Sequence, residues 1–395
     1  MMEYRKFEKL GVAPSLLGFG CMRFPLNKDG SICEPEAEKM LDTAIASGVT
    51  YIDTAYPYHN GDSEPFLGRV LKKYDREDFF LATKLPVWNV NTLDDAKRLF
   101  QEQLDRLQVE YVDFYLLHCL DKEKWQKVLD LGLIPYFEEM KAEGKIRYFG
   151  FSFHDDYEVF ETIATYRPWD FCQIQYNYLD EHSQAGREGL EYAAKKGIPV
   201  IIMEPLRGGR LVQHLPQTAK EQIASSGLFQ TPAEMALKWL WDQPGVTCVL
   251  SGMNSMEMVQ ENIRIAEESH VSMLTDVHRT LIGQVKAEIQ KYMKVPCTGC
   301  AYCMPCPQRV DIPMAFHCYN VKYSEGKKSG MWEYVQSTAM RRETSSASQC
   351  VECGKCEKHC PQGIPIRTML KEAVRELETP KYRVLKWAVK TFRIY

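Results

Sequence analysis

The stretch best equipped for chemistry is YIDTAYPY, residues 51–58, in which an apolar run ends at Asp53 and a phenol, Tyr58, follows five residues later. Two further apolar runs end in reactive side chains, FFLATK at Lys84 and DFYLLH at His118. A buried strand that stops at a polar residue presents it at its carboxyl end, where barrels and open α/β sheets assemble their sites. Asp53, Tyr58, Lys84 and His118 on neighbouring strand tips would suit proton transfer. A phenol is a poor acid near neutral pH until an ammonium stabilises its anion, and a carboxylate keeps that ammonium charged. Taken singly, a His after an apolar strand is commonly a core residue and a Lys there is commonly solvated; the ordered set of four carries the reading.

The second reactive set is cysteine. Of fourteen in the chain, Cys21, Cys33, Cys119, Cys172, Cys248 and Cys318 stand singly and read as small buried hydrophobes. The other eight fall in CTGCAYCMPCP, with Cys297, Cys300, Cys303 and Cys306, and CVECGKCEKHCP, with Cys350, Cys353, Cys356 and Cys360. With no export signal, such clusters point to metal rather than disulfides. The second has the C-x2-C-x2-C-x3-C-P spacing that wraps three thiolates around a corner of an iron-sulfur cubane, while the fourth thiolate comes from elsewhere. The first is one residue shorter before its last cysteine. Tetrahedral zinc is the rival, although zinc sites usually pair two CxxC knuckles.

These groups need a scaffold, and 395 residues exceed what one core usually serves. A composition of 45% hydrophobic and 26% charged residues is that of a soluble globular protein. A net charge of -4 argues against a general nucleic-acid binder. The N-terminus, MMEYRKFEKL, does not read as a signal peptide and no apolar run reaches the length of a membrane span, so a cytoplasmic location without a transmembrane segment is expected.

After a short hairpin about residues 9–11, strand-like runs at 16–20, 50–53, 79–84, 113–118, 148–153, 171–176, 199–203 and 247–250 alternate with helical periodicity at 34–47, 63–73, 93–107, 134–143, 156–166, 187–196, 232–241 and 256–267. Gly48, Gly144 and Gly197 mark helix ends, Pro232 a first turn, and Thr92 with Asp95 and Thr231 with Glu234 mark caps. Eight such units predict a TIM (β/α)8 barrel rather than a doubly wound sheet, and the Rossmann glycine fingerprint is missing from GFGCMRF. The long connections at 206–230 and 119–132 read as a lid or phosphate-facing loop and a substrate mouth. The domain boundary is placed near Val295, giving a barrel over 1–294 and a mainly helical iron-sulfur domain over 295–395, with helix-prone stretches at 314–342 and from 366 onward. The tail TPKYRVLKWAVKTFRIY reads as a packed helix or subunit contact, through which an oligomer could form, with membrane-surface attachment as the rival.

In IDTAYPY, ATK and LLH, residues 4–267 resemble the aldo-keto reductase family, and the tail resembles the ferredoxin-like domain of one of its branches. The resemblance implies an oxidoreductase interconverting a small-molecule carbonyl and alcohol with NADH or NADPH. Tyr58 would be the proton donor, Lys84 would lower its pKa, Asp53 would hold Lys84 and His118 would orient the carbonyl; Trp88 reads equally as pocket wall or core. For the cofactor the resemblance implies Gly20, Met22 and Asp53 at the barrel mouth, and Ser152 and Gln173 at the carboxamide, with Phe153 where an amide is usual. Met203 stands where a ring usually stacks on the nicotinamide. Glu204, Leu206 and Gly208 would flank ribose and pyrophosphate, and Glu261 and Asn262 the adenine. Gly252, Met253 and Met258 replace the Lys, Ser and Arg of NADPH-specific members, so NADH is expected to bind at least as well. Similarity to two-cluster ferredoxins implies one [4Fe-4S] cluster on Cys297, Cys300, Cys303 and Cys360 and another on Cys350, Cys353, Cys356 and Cys306. No flavin motif bridges a two-electron nicotinamide and one-electron clusters. The clusters therefore read either as a link to a substrate radical or a ferredoxin-type redox partner, or as a structural staple. The alternative to catalysis is a ferredoxin-linked electron-transfer protein or nicotinamide-binding sensor without carbonyl turnover.

Overall fold

The computed structural model describes residues 1–324, 327–340 and 343–392. Eight parallel strands close a barrel in sequence order: β1 (Leu17–Gly20), β2 (Tyr51–Asp53), β3 (Phe80–Leu85), β4 (Val112–Leu120), β5 (Ile146–Phe153), β6 (Phe171–Gln175), β7 (Val200–Met203) and β8 (Val246–Ser251). Their residues are almost all buried, as expected for parallel strands covered on both faces. Each predicted strand lies within two residues of an observed one. The predicted hairpin is present as antiparallel bridges Tyr4–Ser15 and Phe7–Val12. It inserts Phe7 among Tyr51, Phe114 and Phe171, with the Phe7 and Phe114 rings 5.9 Å apart edge to face, and so fills the barrel's amino-terminal end.

The helices between strands follow the predicted periodicity. Over Leu93–Leu107, Thr92 and Asp95 close the expected capping box. Gly48, Gly144 and Gly197 adopt positive φ at helix ends, where a side chain would be strained. Among the helices not foreseen, Lys122–Asp130, N-capped by Asp121, occupies most of the stretch 119–132 read as a long loop. It buries only Trp125 and Val128, too few apolar residues for a clear period.

The chain divides into two compact units, Met1–Pro205 with Ala233–Thr275, and Leu206–Pro232 with Asp276–Tyr395. The second unit thus begins at Asp276, ahead of the Val295 that composition suggests, and takes in the loop after β7. That loop folds as short helices Arg210–Gln213 and Gln217–Ser226. It is tied to the rest of its unit by Arg207 Nη2 donating to the Pro296 carbonyl (2.9 Å), Arg210 Nη1 to the Cys297 carbonyl (2.5 Å) and Thr218 Oγ1 to Glu288 (2.7 Å).

The predicted helix-prone middle is two helices, Ile312–Ser324 and Lys327–Tyr334, and a π turn; Arg341 and Arg342 lie outside the described residues. Phe316, Tyr319, Tyr334, Leu370 and Tyr382 build this unit's core, against which six of the clustered cysteines pack. The last helix, Pro380–Phe392, seats Tyr382 there; residues 393–395 of the tail reading lie outside the described residues. Among the described residues no helix is long and apolar enough to cross a membrane.

In the barrel, a Cβ added at Gly150 of β5 would stand 2.6 Å from the Phe171 carbonyl oxygen of β6. Backbone cannot yield as a flexible side chain can, so Gly150→Ala is expected to destabilise by about 1–3 kcal/mol. The shift in the denaturation midpoint, with the slope unchanged, measures it.

Candidate active site and cysteine-lined cavity

Asp53 is the last residue of β2 and Lys84 the fifth of β3, so adjacent strands bring both to the carboxyl-end rim. Lys84 Nζ donates to Asp53 Oδ1 at 2.6 Å and to the Thr54 carbonyl at 2.7 Å, and both side chains are almost wholly buried. Burial raises the Asp53 carboxyl, and the Lys84 charge and hydrogen bond pull it back. Behind Lys84, Glu64 accepts from Thr83 Oγ1 (2.6 Å) and Gln103 Nε2 (2.7 Å), and Gln103 Nε2 also reaches the Lys84 carbonyl (3.0 Å). These groups hold the strand that carries the ammonium. Sequence reasoning missed them, because a Glu in a first helical turn reads as solvated.

Tyr58 opens a tight turn through His59 and Asn60, both at positive φ. The turn is pinned by the Phe24 N–H donating to His59 Nε2 at 3.2 Å, and burial lowers the His59 imidazole, which favours the neutral acceptor. The half-buried phenol oxygen thereby comes to 3.5 Å from Lys84 Nζ, and the ammonium lies 5.0 Å from the ring centroid. His118, in β4, faces the Tyr58 ring edge-on with centroids 6.1 Å apart, and half-buried Trp88 lies 5.1 Å from the imidazole. The expected tetrad is therefore drawn together, and Trp88 borders it.

The net effect on Tyr58 differs from the expectation that Lys84 lowers its pKa. Burial, followed by the negative charge of Asp53, raises the phenol well above its usual value. The carboxylate that holds the ammonium offsets its influence on the phenol, which stays protonated. Burial and Lys84 push His118 well below the usual imidazole range, so it is neutral near pH 7.

On β5 and β6, Ser152 and Gln173 are register partners and share a face. Ser152 Oγ accepts from the Cys119 N–H at 2.8 Å, leaving its own proton for another acceptor. Gln173 is buried, its Nε2 reaches only the Met203 sulfur at 3.4 Å, and its Oε1 has no hydrogen-bond partner among the described residues. An orphaned buried amide is costly, so the pair fits a ligand's carboxamide. Gly20 ends β1, where a Cβ would stand 3.2 Å from the Ser251 carbonyl, and Met22 is exposed beside it. Asn262 donates to Ser251 Oγ at 2.9 Å and is spent on tying its helix to β8; half-buried Glu261 and Met258 share that helix, Met256–Glu267. Gly252 is exposed, and an added Cβ would meet the Arg23 chain at 3.1–3.2 Å, so a lysine at 252 has no room while Arg23 lies there. Arg264 is engaged by Glu268 (3.0 Å) and Glu234 (3.5 Å). Met203 ends β7 and Glu204 follows it, both in the barrel unit, whereas Leu206 and Gly208 belong to the second unit.

In that second unit, Cys306, Cys350, Cys353 and Cys356, the set assigned to one cubane, border a single cavity of about 190 Å³, with Cys303 also at its wall. Burial pushes the Cys303 thiol up to about 12, with Cys297 and Cys360, two more members of the other assigned set, and Cys356 of the first adding to the rise. The Thr298 hydroxyl between Cys297 and Gly299 is buried, with no hydrogen-bond partner among the described residues. Among the described residues no group of three His, Cys, Asp or Glu side chains is drawn together at one point. An all-thiol set bordering a volume fits an iron-sulfur cubane.

A closed parallel barrel with a phenol, an ammonium pinned to a carboxylate, and a neutral imidazole at its carboxyl rim belongs to the class of barrel oxidoreductases. Residues 16–275 match the model of the aldo/keto reductase family, and residues 296–364 match that of a 4Fe-4S dicluster domain. The chain belongs to the aldo-keto reductase family and is an NAD(P)H-dependent oxidoreductase that carries a 4Fe-4S domain. It is 27% identical over 323 residues to the uncharacterized oxidoreductase YqkF of Bacillus subtilis, covering 73% of this chain and 99% of that one. It is 27% identical over 304 residues to the NADH-specific methylglyoxal reductase of Escherichia coli, covering 64% and 88%. Among solved structures, the holo form of aldo-keto reductase AKR11C1 from Bacillus halodurans aligns with a TM-score of 0.59 at 27% identity, over 72% of this chain and 96% of that one.

His154, after β5, is held by burial at about 4, partly offset by its hydrogen bond with Gln184. An exposed imidazole titrates near 6.5, so the unfolded chain binds the extra proton as pH falls. Stability should therefore be level above about pH 6.5 and drop toward pH 4 by on the order of 3 kcal/mol. His154→Gln should flatten part of that slope in urea titrations across this range.

Proposed function

We propose that the protein reduces a small-molecule carbonyl to an alcohol, and runs the reverse reaction, with Tyr58 as the acid. The observation that carries this reading is the Tyr58 oxygen 3.5 Å from an ammonium already fixed by Asp53 and the Thr54 carbonyl. A nicotinamide bound here would supply the hydride, and the eight clustered thiols would hold iron-sulfur clusters that offer one-electron chemistry to an outside partner or brace the domain. Ser152 and Gln173 offer the carboxamide an uncommitted proton and an unpartnered oxygen. Neutral His118 hydrogen-bonds the carbonyl oxygen and orients it toward Tyr58. Tyr58, kept protonated by its surroundings, gives its proton to that oxygen as charge develops there, and Lys84 stabilises the phenolate left behind. Asp53 keeps Lys84 charged throughout. Trp88 beside His118 is the apolar wall of the substrate site.

Tyr58→Phe removes the proton and keeps the ring. It is expected to lower kcat by roughly 10²–10⁴-fold with nicotinamide binding intact; full turnover by this variant would exclude Tyr58 as the acid.

The place of Gly252 and Met258 and the engagement of Arg264 favour NADH over a cofactor whose extra phosphate needs a cationic grip. Fluorescence titration should give an NADH Kd no weaker than that for NADPH. A clear preference for NADPH would assign the grip to Arg23.

Anaerobically purified protein should contain close to eight irons, the sum of two cubanes. A count near four, or none, contradicts the two-cluster assignment.

A further inference from the structure

The strand that carries His118 falls out of step with its neighbour at that residue. Leu117 of β4 pairs with Phe151 of β5, and the next pairing is Leu120 with Phe153. Two residues, His118 and Cys119, therefore stand against one, Ser152, which is the count of a β-bulge. The extra residue resets the alternation of side chains. Phe151 and Phe153 face the outer helix Tyr157–Tyr166, where their rings meet that of Phe160 at 6.0 and 5.3 Å. Their register partners Leu117 and Leu120 share that outer face, so His118 and Cys119 together occupy the single inward place opposite Ser152. Cys119 lies near enough to Tyr58 to add to the rise of its phenol, which agrees with that placement.

Three features close the bulge, all within the barrel unit. Buried Cys119 holds φ 56°, a left-handed conformation that a non-glycine residue keeps only where its surroundings impose it. Its N–H donates to Ser152 Oγ at 2.8 Å. Beyond it, the His154 N–H donates to the Leu120 carbonyl at 2.8 Å, where the chain is back in register. A bulge bends its strand and re-aims a side chain. Here the side chain is the His118 imidazole, set between the Tyr58 ring at 6.1 Å and the Trp88 ring at 5.1 Å.

We infer that Cys119 and Ser152 are positioning residues for His118: the bulge they close fixes the imidazole against Tyr58, and neither acts on the carbonyl itself in doing so. The inference rests on the reading above, in which His118 orients a carbonyl. It gives Ser152 a second task that is present before any cofactor binds.

The test begins on cofactor-free, full-length protein with isotope-labelled histidine, read by nuclear magnetic resonance, the His118 signal being identified by its loss in His118→Gln. The Tyr58 and Trp88 rings make that signal sensitive to where the imidazole sits. Cys119→Val, whose branched side chain resists a positive φ, and Ser152→Ala, which removes the acceptor, should each displace it. Cys119→Gly accepts that φ and keeps the N–H, so its signal should stay close to wild type. With NADH and para-nitrobenzaldehyde as the carbonyl probe, Cys119→Val should lower kcat/KM by roughly 10–100-fold at a wild-type NADH Kd. Cys119→Gly should recover most of that loss, and adding Cys119→Val to His118→Gln should cost little more. An unmoved signal in Cys119→Val or Ser152→Ala overturns the inference, as does a Cys119→Gly signal displaced as far as that of Cys119→Val. Losses that add fully in the double variant also overturn it. Should Cys119→Val fail to fold, the Ser152→Ala signal decides. Wild type that leaves the probe unreduced counts against the carbonyl reading instead, and the cofactor-free signal still decides the placement of His118.

Discussion

Everything at the barrel's rim depends on an ammonium and a carboxylate being taken out of water together. Lys84 and Asp53 are both almost fully buried, and neither would tolerate that alone. Their mutual attraction, with the Thr54 carbonyl as a third partner, offsets part of the desolvation cost. Removing one partner leaves a bare charge inside, at a cost of about 3–5 kcal/mol. The pair therefore constrains β2 and β3 as much as it serves chemistry. Tyr58 and His118 are arranged around a charge that cannot move.

That constraint explains the layers behind it. Glu64, Thr83 and Gln103 form a buried polar network whose members satisfy one another, with Tyr115 Oη donating to Gln103 Oε1 at 2.8 Å. Such networks help hold a unique arrangement only when their hydrogen bonds are met. Here the network grips the backbone carbonyl of Lys84 from the outer side of β3, while Asp53 grips the ammonium from the inner side. The ordinary barrel strand becomes a mount with little freedom left in it.

Much of this was legible in the amino-acid order, because parallel strands buried on both faces appear as short apolar runs that stop abruptly at their functional residues. IDTAYPY, ATK and LLH each show that break, and the cysteine spacings are legible for a similar reason: thiolates must recur at the pitch of a turning loop. What escaped was set by burial or by distance along the chain. KEKWQKVLD forms a helix with only two buried apolar positions. The rise in the Tyr58 pKa comes mainly from burial, which local order does not display. The attachment of the β7 loop to the second unit rests on side chains reaching carbonyls 87 and 89 positions away.

That last attachment bears on how this polypeptide can be taken apart. Although family resemblance ends near residue 275, a chain trimmed there would keep Arg207, Arg210 and Thr218 while losing Pro296, Cys297 and Glu288, to which they bind. Three hydrogen bonds that hold this contorted turn would be lost. The portion that matches the 4Fe-4S domain thus shares its compact unit with residues from inside the barrel's own sequence, and any excision or graft of one piece must carry residues 206–232 with the tail.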